Sequence, residues 1–187
     1  RRQDIGNNLM RQAHFRLYYK DVVFASLIPA EEWLYDWYAK CGYARVITCT
    51  PPPADPRTVD FAGFDAVQRS RRCVLLHDED GFDVIREDIR LAGDSYKPQQ
   101  TDIPAMLRVV NAVKALRLYA AVHPDVCMTI RVDDDGDIPM NNAYYVINGG
   151  RVRQTDEPDS SAVKLTIAGL AGFIFKDEDA EMNLMLN

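Results

Sequence analysis

The sequence predicts a mixed fold of the α+β (α/β) type, on three observations. The first fifty residues alternate helical and strand-like patterning. Asn148-Gly149-Gly150 joins two short strand-like segments, residues 143–148 and 151–155. A strand-like run beginning at residue 163 passes directly into an apolar helical one. Period 3.6 and period 2 are the physical signatures of a one-sided helix and a one-sided strand.

The elements follow in order. Over residues 5–19, Ile5, Leu9, Ala13 and Leu17 recur at i, i+4, which predicts a helix with that stripe facing inward. Residues 21–28 are a short apolar run and predict a buried strand, stopped by Pro29. Residues 30–41 carry Trp33, Leu34, Trp37, Tyr38 and Cys41 at helical spacing, and Gly42 suits the position just past a helix end. Residues 43–49 return to strand. Four prolines in residues 50–58 forbid helix and predict an extended linker. A less regular zone follows, with a short helix over 61–71, a short strand over 73–77, and a helix over 82–91 that aligns Phe82, Ile85 and Ile89 and ends at Gly93. Beyond residue 102 come a strand at 105–110, an amphipathic helix at 112–121 and a strand at 126–132. "DDDGD" at 133–137 lacks the later glutamate of a calcium loop and predicts an acidic hairpin turn. A hairpin spans 143–155, because Asn-Gly-Gly tolerates the positive φ of a tight turn.

Composition narrows the function classes. The net charge of −6 argues against nucleic acid and for cationic small molecules. No apolar run approaches the ~20 residues of a membrane span. No apolar segment of secretory type follows the basic start, so a cytoplasmic location is the expectation. Cys41, Cys49, Cys73 and Cys127 match no zinc spacing and read as reduced thiols in or near the core. His14, His77 and His123 read as surface or boundary residues, and no metal site is expected.

Two segments carry candidate chemistry. "RRQDIGNNL" at residues 1–9 joins arginines to the start of a helix, where free N–H groups and a partial positive charge suit phosphate. Gly6 lets a ligand approach the backbone. This pattern resembles the R-x-x-G-x-G/A pyrophosphate loop of the GNAT acyltransferase superfamily, with Arg1 first and Gly6 last. Asp4 stands where the middle glycine is expected, and a carboxylate there repels pyrophosphate unless it turns away. The second segment, Tyr38-Ala39-Lys40-Cys41-Gly42-Tyr43, resembles the aromatic-x-lysine-x-glycine-aromatic signature of the same superfamily. Glu31 replaces the asparagine often found at the start of that helix. The resemblance implies acetyl-coenzyme A as co-substrate, bound by Arg1, Arg2, Gln3, Asp4, Ile5, Gly6 and Asn7, with Tyr38 as the general acid that protonates the departing thiolate. The same spacing also suits Trp37 and Tyr38 as core aromatics.

Residues 102–187 resemble the sterol-carrier-like domain that closes acetyltransferases of the enhanced-intracellular-survival type, in the order "MLRVV", helix, "TIRVDDD", "YYVINGGRV", "VKLTIAGL". The resemblance therefore implies the C-terminal part of a GNAT fold at 1–58, a connecting segment at 59–101 and a sterol-carrier-like α+β domain at 102–187. It also implies that the Asn187 carboxylate serves as base or amine guide, carried by the apolar tail Met182, Leu184, Met185 and Leu186; a final strand or a frayed tail is the other reading. Relatives of that type often assemble into rings, so a homo-oligomer is expected. Strands that precede the phosphate-loop helix in that fold are missing, so the chain is expected to be N-terminally incomplete and a poor catalyst alone. The expected function is acetyl transfer to an amine of a small molecule or peptide. The alternative is a non-catalytic lipid-binding or protein-association module.

Overall fold

The structure, a computed structural model, describes residues 2–52, 54–71, 73–93 and 103–183, with side chains from residue 5 onward. The chain divides into two compact units, Arg1–Arg45 with Met106–Lys176, and Val46–Ala105 with Asp177–Asn187. Among the described residues there are six α-helices and eight strands.

The first unit opens with α1 (Arg2–Tyr19), β1 (Phe24–Leu27) and α2 (Glu32–Lys40), the order the patterning predicts. Of the next two strands, β2 (Ala44–Cys49) contributes Ala44 and Arg45 to this unit, and β3 (Pro104–Val109) contributes Met106–Val109. β1 pairs antiparallel with β3, from Phe24 opposite Val109 to Leu27 opposite Met106. The expectation of a buried β1 is corrected: all four of its residues are half-buried. The rest of the unit is a four-stranded mixed sheet. β4 (Met128–Val132), β5 (Tyr144–Asn148), β6 (Arg151–Thr155) and β7 (Val163–Leu165) lie in the order β6-β5-β4-β7, and only the β4–β7 pair is parallel. Gly149 and Gly150, at φ +56° and +72°, make the two-residue turn between β5 and β6. Two positive φ angles in succession match the right-handed twist of the flanking strands. Two helices pack with the sheet and each other. They are α5 (Ala112–Val122), capped by Asn111, and α6 (Ile167–Phe175), capped by Thr166, which accepts from the Gly169 amide at 2.8 Å. Leu116, Ile130, Val132, Tyr145, Ile147 and Leu170 are fully buried there.

The second unit is built on α3 (Phe61–Arg69) and α4 (Glu79–Ala92). Asp60 and Asp78 cap them by accepting the Gly63 and Gly81 amides, each at 2.8 Å. Phe64, Phe82, Ile85 and Ile89 form its core, so the predicted apolar face of α4 is the buried one. β2 pairs in parallel with a two-residue strand, β8 (Glu181–Met182). Two expectations change here. Residues 73–77 make a single bridge, Val74 to Glu181, instead of a strand. The proline-rich stretch is no plain extended linker: Pro56 is buried and the Thr58 amide closes a turn on the Asp55 carbonyl at 3.0 Å.

All four cysteines are free; Cys49 is buried, Cys41 and Cys73 half-buried, and Cys127 exposed. Cys127 departs from the core reading because β4 begins only at Met128, leaving Cys127 in the loop after α5.

Candidate active site

The site is built in the first unit by α1 and α2. α1 begins at Arg2, so Arg2, Gln3, Asp4 and Ile5 supply its first turn, where helix geometry leaves the backbone N–H groups without intrahelical acceptors. Arg1 and the side chains of Arg2, Gln3 and Asp4 lie outside the described part, as does Asn187.

The inward face of α1 is displaced by one residue from the predicted stripe. Ile5 and Leu9 are 63% and 61% exposed. Gly6, Met10 and His14 face inward instead, again at i, i+4. Each has a specific neighbour on the inner side. A Cβ on Gly6 would lie 3.3 Å from Cζ2 of Trp37, so the clearance expected to admit a ligand is filled by an indole. Asn7 accepts the Trp37 indole N–H at 3.0 Å. Met10 packs with Tyr38 against the buried cluster of Tyr35, Tyr43 and Met106.

α2 ends at Lys40 with Cys41 as its cap, and Gly42 follows at φ +86°. The Gly42 amide bonds to the Ala39 carbonyl at 3.0 Å and the Tyr43 amide to the Tyr38 carbonyl at 3.1 Å. This double closure is a Schellman motif, whose usual apolar contact joins the residue two past the cap to the residue three before it. Here those residues are Tyr43 and Tyr38, edge to face with ring centroids 5.6 Å apart. Trp37 also packs edge to face with Tyr38, ring centroids 4.8 Å apart. Among the described residues the Tyr38 hydroxyl has no hydrogen-bond partner, which leaves it available to a ligand. Glu31, at the head of α2, accepts from the Trp33 indole and makes no cap bond.

Beneath these helices lies a polar knot that sequence reasoning missed. His14, expected near the surface, is fully buried. Its Nδ1 lies 2.8 Å from Asp137 Oδ2 and its Nε2 3.1 Å from the Tyr43 hydroxyl. Arg108, in β3, has a side chain only 2% exposed. It donates to the Cys41 carbonyl at 2.6 Å and to Asp135 Oδ1 at 2.5 Å. Asp135 also accepts the Ile138 amide and the Asn141 side chain. The acidic segment 133–137 is thus no solvated hairpin turn, because buried donors hold two of its carboxylates. Burial acts to raise the Asp137 carboxyl, but the His14 hydrogen bond and the nearby Arg108 and Arg11 outweigh it and hold it below its ordinary value. Burial pushes the Tyr43 phenol up to about 12, against the pull of Arg108. A cavity of about 430 Å³ opens beside the knot, lined by Arg11, Lys40, Gly42, Arg108, Asp137 and Ile167 among others. A sequence signal did exist: one arginine interrupts the apolar run of β3, and such a residue is buried only when paired. Among the described residues no group of three His, Cys, Asp or Glu side chains gathers to hold a metal.

No protein-family model and no curated protein matches the chain. Solved structures do. A GCN5-related N-acetyltransferase from Anabaena variabilis superposes with a TM-score of 0.63 at 13% identity, over 94% of this chain and 76% of that one. Eis1 from Mycobacterium abscessus superposes with a TM-score of 0.62 at 12% identity, over 90% of this chain and 67% of that one. Likeness at this identity is likeness of fold: the chain has the mixed α+β architecture of GNAT-like folds.

Proposed function

We propose that this fold serves an acetyl-coenzyme-A-dependent N-acetyltransferase that acts on a cationic amine of a small molecule or peptide. The observation that supports the reading most directly is the junction of the two predicted segments. The Trp37 indole, next to Tyr38, bonds Asn7 at the end of the predicted phosphate segment.

The residues present suit the co-substrate. Arg1, Arg2 and the amides of Gln3 through Asn7 offer donors for pyrophosphate at a helix N-terminus. Trp37 occupies the clearance over Gly6, so close approach falls to the first-turn amides. Acetyl-coenzyme A supplies the thioester that the amine opens. As the amine nitrogen bonds the acyl carbon and the C–S bond breaks, Tyr38 gives its phenolic proton to the sulfur. A phenol of ordinary pKa about 10 donates to a thiolate whose thiol has a pKa near 8.5 once a hydrogen bond aligns them. The Asn187 carboxylate takes the ammonium proton before attack, directly or through water, and the second proton the nitrogen sheds after bonding the acyl carbon restores the Tyr38 phenol. Residues 102–187 serve as the sterol-carrier-like platform that carries this tail, and the assembly is a homo-oligomer.

Tyr38→Phe tests the reading. Turnover, followed as free thiol released, is expected to fall by roughly 10²- to 10⁴-fold. Acetyl-coenzyme A affinity, measured by calorimetric titration, should stay nearly unchanged. Unchanged turnover removes Tyr38 from the mechanism, and no binding heat with the unsubstituted protein sinks the acetyltransferase reading itself.

A further inference from the structure

We propose that His14 is a positioning residue for Tyr38: acting through Tyr43, it holds the phenol of the candidate proton donor in one orientation. The assignment rests on the acetyltransferase reading for its catalytic meaning but not for its geometry.

A fully buried imidazole must satisfy both ring nitrogens, because an unpaired polar atom away from water is costly. His14 does so with two partners of opposite character. Asp137 is ionised and can only accept, so Nδ1 carries the proton and donates to Oδ2 across 2.8 Å. In the neutral ring Nε2 then has only a lone pair, and the Tyr43 hydroxyl donates to it across 3.1 Å. The order is Asp137 carboxylate, His14 Nδ1–H, His14 Nε2, Tyr43 O–H. Arg11 reaches Asp137 from the exposed side at 3.4 Å, and Arg108 faces the same region from β3.

Tyr43 is 4% exposed and fastened at both ends. Its backbone amide closes the Schellman motif on the Tyr38 carbonyl, and its hydroxyl is tied to His14. Between these anchors its ring forms a wall edge to face against Tyr38, which also packs against Trp37. Without the His14 bond the Tyr43 hydroxyl loses its partner in a buried place, and the ring turns to find another. Tyr38 then loses a fixed wall. Proton delivery depends steeply on placement, and a shift of about 1 Å can cost 10²-fold.

The test places 3-fluorotyrosine at position 38 and records its ¹⁹F line in the unsubstituted protein, His14→Leu, His14→Gln and Tyr43→Phe. Glutamine can copy the imidazole by donating its amide N–H to Asp137 and accepting from Tyr43. Tyr43→Phe removes a single oxygen and serves if His14→Leu fails to fold. One narrow line is expected for the unsubstituted protein and His14→Gln, and a shifted, split or broadened line for His14→Leu and Tyr43→Phe. In acetyl transfer, kcat should fall roughly 10- to 100-fold in the latter two, with KM for acetyl-coenzyme A within about 2-fold, and recover in His14→Gln. An unchanged line in Tyr43→Phe, or equal kcat losses in His14→Gln and His14→Leu, overturns the proposal. A protein that transfers no acetyl group yet shows the ¹⁹F response loses the acetyltransferase reading and keeps the positioning one. Active protein with an indifferent line does the reverse.

Discussion

Replacing Gly42 with alanine should unlock the end of α2. The added Cβ would lie 1.9 Å from Arg108 Nη1 and 2.7 Å from Ile167 Cγ2, both far inside contact distance. An arginine tip normally swings away at little cost, but this one is enclosed and tied to the Cys41 carbonyl and to Asp135. Moving it by more than 1 Å breaks both bonds and strands a buried carboxylate. Breaking such a pair costs about 3–5 kcal/mol. Holding alanine at φ +86° adds about 1–2 kcal/mol. Partial repacking returns some of this, so a loss of roughly 4–6 kcal/mol is expected. Urea unfolding followed by circular dichroism measures it, with Gly149→Ala as the internal comparison. Gly149 also has positive φ, but a Cβ there meets nothing within 4 Å, so only the backbone strain of about 1–2 kcal/mol applies. If Gly42→Ala costs no more than Gly149→Ala, Arg108 is not the obstacle and the packing argument fails.

Stability should depend on acid through Asp137. Its folded-state value lies below the ordinary 3.8, so the carboxylate contributes stability above that pH and loses it as pH falls from there through the folded value. Asp137→Asn should therefore flatten the fall in urea midpoint between about pH 5 and pH 2; parallel curves for the two proteins would refute this. Phe82→Ala should cost the second unit about 3–5 kcal/mol, because the ring is fully buried and stacks on Phe64 at 4.9 Å. Protection of the α4 amides from hydrogen exchange checks it, and undiminished protection would show that the cluster is not the unit's core.

Much of the fold was legible from local chemistry. Helix, strand, helix, strand over the first fifty residues, the Asn-Gly-Gly hairpin, the strand-to-helix step at residue 163 and the end of α2 at Gly42 all rest on signals a few residues long. The apolar face of α4 was equally plain, since Phe82, Ile85 and Ile89 cluster with Phe64, and Val59 and Phe61 pack against them. The candidate site was legible in part. Tyr38 and the head of α1 were singled out, and α1 and α2 bring those segments together through Asn7 and Trp37.

What the chain determined by itself is the type and order of most helices and strands, because caps, turn glycines and apolar period act within one or two turns of backbone. Only the tertiary structure decided which face of α1 turns inward. The period was right and the phase was not: Gly6 lies under Trp37, His14 is held by Tyr43 and Asp137, and Met10 packs on the buried cluster around Tyr35. The acidic segment followed the same rule. Asp135 and Asp137 look like solvent-facing charges until Arg108 and His14 meet them, and His14 lies 123 positions from its partner. A polar side chain is buried when its partner arrives with matching geometry, and that partner is set by the path of the whole chain, not by its neighbours in sequence.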